Sequence, residues 1–203
     1  RNTGQLPGGL AGADINAEEA WLTTLGDGAV VAVIDDSVQW EHEDLGDNYT
    51  TGFNFTSFPD GPGGEPGPAF GPNPFGGFFV VGDPVGEAHG TSVAGLVCAQ
   101  ANQLGGRGVA PNAGLVGIKI GLGVSLSTDQ DIADAFLFAE RNGAMVINNS
   151  WGASSLIRIP TVPDASYLLP DLISDAINEV ATNGRGGLGT LVVFSAGNGE
   201  RFS

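Results

Sequence analysis

The sequence predicts a three-layer α/β/α fold around a mainly parallel sheet. Three observations lead there. The runs AVVAVID, GLVGIKI, AMVIN and TLVVF are continuously apolar, as in strands covered on both faces. They alternate with segments whose apolar residues recur at helical spacing. The 203 residues, 41% of them hydrophobic and 15% charged, are enough for one full core, so residues 1–203 read as a single domain without internal repeats.

Residues 1–13 read as loop. DINAEEAWLTTL (14–25) predicts a short helix, with Asp14 or Asn16 as cap, acids in the first turn, and Ala20, Trp21 and Leu25 apolar. GDG then turns the chain into the first strand. Residues 46–86 are rich in Gly, Pro and Phe and read as a long surface excursion between strong elements. HGTSVAGLVCAQA (89–101) predicts a helix, followed by the turn-rich NQLGGRG and the strand GLVGIKI. DQDIADAFLFAERNG predicts a second long helix, with Ile132, Ala135, Phe136 and Ala139 on one face and Gly143 as its stop. AMVINNSWG is a strand, LPDLISDAINEVATNG an amphipathic helix, and GTLVVFSAGN a last strand.

A net charge of −16 with a single lysine, Lys119, argues against nucleic acid as a partner. It also draws cationic substrates weakly and in a salt-dependent way. No apolar run reaches the roughly 20 residues of a membrane span. No signal peptide is visible, and Arg1 has no methionine before it, so the chain reads as processed, trimmed or a fragment. The one cysteine, Cys98, rules out an internal disulfide framework and reads as a small buried hydrophobe.

In a parallel sheet, function collects at the C-terminal strand ends. Asp35-Asp36 ends the first strand, Asn148-Asn149-Ser150 a later one, and Ser195-Ala196-Gly197-Asn198 the last. His89 opens the helix after the excursion, within reach of the same edge. Singly, each has a plain structural reading: a turn aspartate, a helix-capping histidine, an ordinary loop. Together, an acid, an imidazole and an amide on one edge point to acyl transfer.

VAVIDDSVQWEHEDL resembles the Asp motif of subtilisin-like serine proteases, HGTSVAGLV their His motif, INNSWG their substrate-binding strand and FSAGNGE their oxyanion loop. The motifs occur in the family's order. The Asp-Asp pair and GRGGLGTLVVFSAGNGE resemble the kexin/furin-like branch most. The resemblance implies a subtilisin-like domain, incomplete at both ends, that hydrolyses peptide bonds in proteins. It implies Asp35 as triad acid, His89 as general base and acid, and Asn198 as donor to the oxyanion. Ser150, Trp151 and Gly152 would pair with extended substrate, and Ser195, Ala196 and Gly197 would wall the pocket before the cut. Asp36 would match the second acid of the kexin-like branch, which favours a basic group two residues before the cut.

The resemblance further implies structural Ca²⁺, held by Asp44, the side chain of Asn102 and backbone oxygens of Gln100, Leu104 and Gly106. It implies peptide or protein substrates, allows for a pro-segment or inhibitor as partner, and implies a secreted or extracytoplasmic (periplasmic or extracellular) location. The family's Gly-Thr-Ser nucleophile motif does not follow Asn198 before the chain ends at Ser203. The serine is therefore expected beyond Ser203, and this stretch alone is expected to be inactive. The alternative is a non-catalytic subtilisin-like module that binds peptides. Ala153-Ser154-Ser155 replaces the acids that kexin-like enzymes carry after SWG, so broad specificity is as well supported as dibasic.

Other patterns carry less. GRGGLG (184–189) fits a dinucleotide fingerprint but precedes a strand instead of following one. Asn48, Asn54 and Asn148 fit the glycosylation pattern. A metallohydrolase built from Asp35, Asp36, His89 and His42 would need three or more ligands converging on one point.

Overall fold

A computed structural model of the chain describes residues 10–56, 89–121, 127–152 and 169–197. Among these residues five strands form one parallel sheet: β1 (Val30–Asp35), β2 (Tyr49–Asn54), β3 (Gly114–Lys119), β4 (Val146–Asn149) and β5 (Leu191–Phe194). Their order is β2-β3-β1-β4-β5. The helices are α1 (Ala17–Ala20), α2 (His89–Cys98), α3 (Asp129–Arg141), α4 (Asp171–Thr182) and the single turn α5 (Gly184–Gly187).

The continuous apolar strands make sense once both faces are considered. Side chains alternate across a strand. Ala32 and Ile34 of β1 join Val116, Ile118 and Ile147 in a core closed by Phe136 and Ala139 of α3 and by Ile173 and Val180 of α4. Val31 and Val33 face the other way, into a core with Leu115, Ala94 and Cys98. The sheet thus lies between α2 on one side and α3–α4 on the other, the expected three layers.

The same alternation places Asp35. It continues the row of Val31 and Val33, toward the face that α2 covers. β1 is also the strand where the order reverses: β3 and β2 lie to one side, β4 and β5 to the other. The C-terminal end of such a central strand opens into a crevice.

Local sequence explains the long helices. Thr128 and Asp131 form a capping box at the start of α3, each side chain taking the other's backbone N–H. Two expectations need correction. The helix expected over 14–25 reduces to the single turn α1. Asn16 there is in the left-handed conformation and gives no side-chain cap, while its own N–H bonds Asp14 Oδ1. No residue of α1 is buried, so nothing offsets the cost of starting a helix. The surface excursion expected from residue 46 starts too early: a 3-10 turn (Gly46–Asn48) and the edge strand β2 occupy its first part, pairing with β3. The remainder of 46–86, from residue 57, lies outside the described residues.

Candidate active site

β1 and α2 bring the first two predicted residues together. His89 Nδ1 and Asp35 Oδ1 are 2.8 Å apart. The side chain of Asp35 is 0% exposed and that of His89 56% exposed. With Nδ1 turned to the carboxylate, Nε2 is the nitrogen left for a reacting group. Asp35 Oδ1 also accepts from the Asp36 N–H at 2.8 Å, while Oδ2 is buried without a partner among the described residues. Burial, the largest influence, pushes the Asp35 carboxyl above its ordinary range; the bonds from His89 and the Asp36 N–H offset part of that rise. The hydrogen bond to Asp35 raises the basicity of His89, outweighing the opposite effect of its partial burial.

The helix carrying His89 is clamped to the end of β1. Asp36 Oδ2 accepts from the His89 N–H at 3.1 Å, and Oδ1 accepts from the Gly90 N–H at 2.7 Å. Thr91 Oγ1 accepts from the Gln39 N–H at 2.9 Å. A Cβ on Gly90 would lie 2.3 Å from the Ser37 carbonyl oxygen and 2.7 Å from Asp35 Cβ. Only glycine lets the helix approach this closely. Gly90 and Thr91 were not singled out as functional from sequence, although they directly follow the histidine in HGTS.

Comparison with known proteins gives the family. The profile of the Subtilase family matches residues 26–203. This chain belongs to the Subtilase family. A calcium-dependent protease of Trichormus variabilis is 32% identical over 96% of this chain and 27% of its own length. Bovine (Bos taurus) furin is 30% identical over 95% of this chain and 22% of its own length. A protease of solved structure from Pseudoalteromonas arctica superposes with a TM-score of 0.69 and 32% identity, over 91% of this chain and 54% of that one. The chain thus spans about a quarter of the length of these first relatives.

Other predicted positions of this subtilase line the same edge. β4 and β5 run side by side, and the Ser195 N–H bonds the Asn149 carbonyl at 3.0 Å, bringing the INNSWG and FSAG segments together. Ser150 Oγ accepts from Asn148 Nδ2 at 3.0 Å. The Trp151 indole is structural: its N–H donates to the Ile34 carbonyl at 2.8 Å, beneath the strand that ends in Asp35, and its ring meets Phe194 edge-on. Among the described residues nothing lies within 4 Å of the Cβ positions of Gly152 and Gly197, and Ser195, Ala196 and Gly197 are exposed. Asn198 lies outside the described residues.

The expected calcium ligands divide. Asp44 is buried, and its Oδ1 has no hydrogen-bond partner among the described residues. Its Oδ2 accepts from the Gly106 N–H at 3.1 Å, and its carbonyl from the Gln100 N–H at 2.9 Å, so the loop after α2 wraps it. Gly105, with φ of +49°, passes so close that a Cβ there would lie 2.4 Å from Oδ2. Asn102 Oδ1 accepts from the Leu104 N–H at 2.8 Å. A buried carboxylate with one oxygen unsatisfied among the described residues, beside a loop that carries the other expected ligands, fits a hard cation such as Ca²⁺.

The weaker patterns end as structure. Asn48 Nδ2 donates to the Cys98 and Pro111 carbonyls, each at 2.7 Å, and Asn54 is buried. His42 Nδ1 accepts from the Asp44 N–H at 3.1 Å, and among the described residues no three His, Cys, Asp or Glu side chains converge as a metal site. GRGGLG carries α5 and leads into β5, with Arg185 and Gly186 in left-handed conformations. Among the described residues no helix is long and apolar enough to cross a membrane.

Proposed function

We propose that this chain is the Asp- and His-bearing part of a secreted serine endopeptidase. The observation that carries the reading is the 2.8 Å contact between buried Asp35 and half-exposed His89 at the reversal point of the sheet. Asp35 holds the imidazole in the Nδ1–H tautomer, so Nε2 presents its lone pair to a serine hydroxyl supplied from beyond Ser203. His89 removes the hydroxyl proton as oxygen attacks the peptide carbonyl, then returns it to the leaving amine. Asp35 stabilises the imidazolium between those steps. The Asn198 side chain donates to the carbonyl oxygen as it becomes an oxyanion. Ser150 to Gly152 receive the substrate as an added strand, beside the wall of Ser195 to Gly197.

Calcium is the structural partner. Asp44, with Asn102 and the backbone oxygens of Gln100, Leu104 and Gly106, would hold it, and the ion would supply positive charge to a buried carboxylate, away from the reacting atoms. The name of the Trichormus variabilis relative supports this. A pro-segment or inhibitor would occupy the same cleft as substrate.

The test is hydrolysis of a protein or peptide substrate by the full-length protein. Serine-directed acylating agents should abolish turnover, and chelators of transition metals should not. Loss to those chelators with resistance to acylation would overturn the reading. Binding of peptide without turnover would leave a peptide-binding module.

A further inference from the structure

We propose that Asp36 is a positioning residue for His89, its carboxylate seating the first turn of α2 so that the imidazole meets Asp35. The inference rests on the reading of His89 as general base. The first N–H groups of any helix lack intrahelical partners. Here the N–H groups of His89 and Gly90 go to Asp36 Oδ2 and Oδ1, at 3.1 and 2.7 Å, and that of Ser37 to Oδ1 at 2.7 Å. A carboxylate at this end also complements the helix dipole.

Sequence adjacency gives the arrangement its consequence. Asp35 holds the ring of His89 and Asp36 holds its backbone, so one dipeptide at the end of β1 fixes both ends of the same residue. Thr91 and Gln39 add a second tie one step along the helix. Three of the roughly four acceptor positions of the Asp36 carboxylate are thereby used within the protein. This competes with the expectation that Asp36 reads a basic substrate side chain. A group bound to backbone at the foot of the His helix acts on every substrate alike.

The experiment compares Asp36→Ala, Asp36→Asn and Asp36→Ser with wild type in the full-length protein. Two peptides are used, identical except for Lys or Leu two residues before the cut. Positioning predicts that Asp36→Ala lowers kcat on both by about 10- to 100-fold with KM little changed, as a small misplacement of the base would. Asn and Ser, which also cap helices, restore most of kcat on both. The low-field proton resonance of His89 Nδ1–H should fade in Asp36→Ala and persist in Asp36→Asn. If Asp36→Ala does not fold, Asp36→Asn decides, with both peptides still cleaved and the resonance retained. Loss confined to the Lys peptide in Asp36→Asn, or an Asp36→Ala variant unchanged on both peptides, would overturn the proposal. If wild type cleaves neither peptide, the protease reading fails by itself. The resonance in the variants then still decides whether Asp36 seats His89.

Discussion

Asp35 and Asp36 are adjacent in sequence and held in different surroundings. Asp35 continues the buried row of β1, and its charge faces the imidazole from a dry site. Its value as an orienting group comes at a cost, because burial favours its neutral form. The raised pKa of His89 sets a pH dependence. The base must be neutral to accept a proton, so kcat/KM should rise with pH, with a midpoint above the ordinary histidine value of about 6.5. A midpoint below that value would contradict the pairing. The sign for stability is opposite. A group with a raised folded pKa stabilises most below its unfolded pKa, and that contribution fades as pH climbs through the folded value. The stability that His89 gains from ionised Asp35 is therefore lost as pH climbs through its raised value, while the buried Asp35 carboxylate costs stability in its ionised form. Sequence pointed to Asp35 and His89 because each stands at the edge of an element. It could not reveal that Asp36 meets the backbone of a residue 53 positions away, since that depends on how closely α2 docks.

That closeness belongs to the element scale, where Gly90 decides it. Gly90→Ala would place a methyl group against the Ser37 carbonyl and Asp35 Cβ, and α2 would have to move out. Overpacking of this kind costs about 1–3 kcal/mol. The variant should remain folded, with a lower midpoint in urea and at least a hundredfold loss of kcat/KM as His89 leaves Asp35. Full activity in Gly90→Ala would mean that the helix does not sit as described. Most elements were legible because their apolar periodicity is strong, as in α3 with Ile132, Ala135, Phe136 and Ala139. Those that misled lack a buried face. α1 has helical composition but buries nothing, and Trp21 is held instead by its indole N–H on the Val109 carbonyl and by Arg107 stacked on its ring. β2 was hidden because it is an edge strand, its sequence YTTGFN mixing polar and apolar residues beside a Gly- and Pro-rich stretch.

For the whole molecule, the reversal of strand order at β1 makes one edge of the sheet the place where α2, β4 and β5 all deliver polar ends. The fold class was readable from alternating strands and helices. Asn198 was readable as the oxyanion donor only through its motif, and it lies outside the described residues. The calcium reading also belongs to this scale, since Asp44 joins the segment after β1 to the loop after α2. Calcium in the full-length protein should raise the unfolding temperature, by an amount equivalent to about 2.7 kcal/mol at a hundred times its Kd. Asp44→Asn should remove that response. An unfolding temperature indifferent to calcium in wild type would exclude the site.

The most direct measurement treats the full-length protein and its His89→Ala variant with a fluorophosphonate and locates the adduct by mass spectrometry. The paired Asp35 and His89 predict one modified serine, downstream of Ser203, in wild type and none in a folded His89→Ala. An unlabelled wild-type protein, or labelling that survives the loss of His89, would contradict a triad built on this pair.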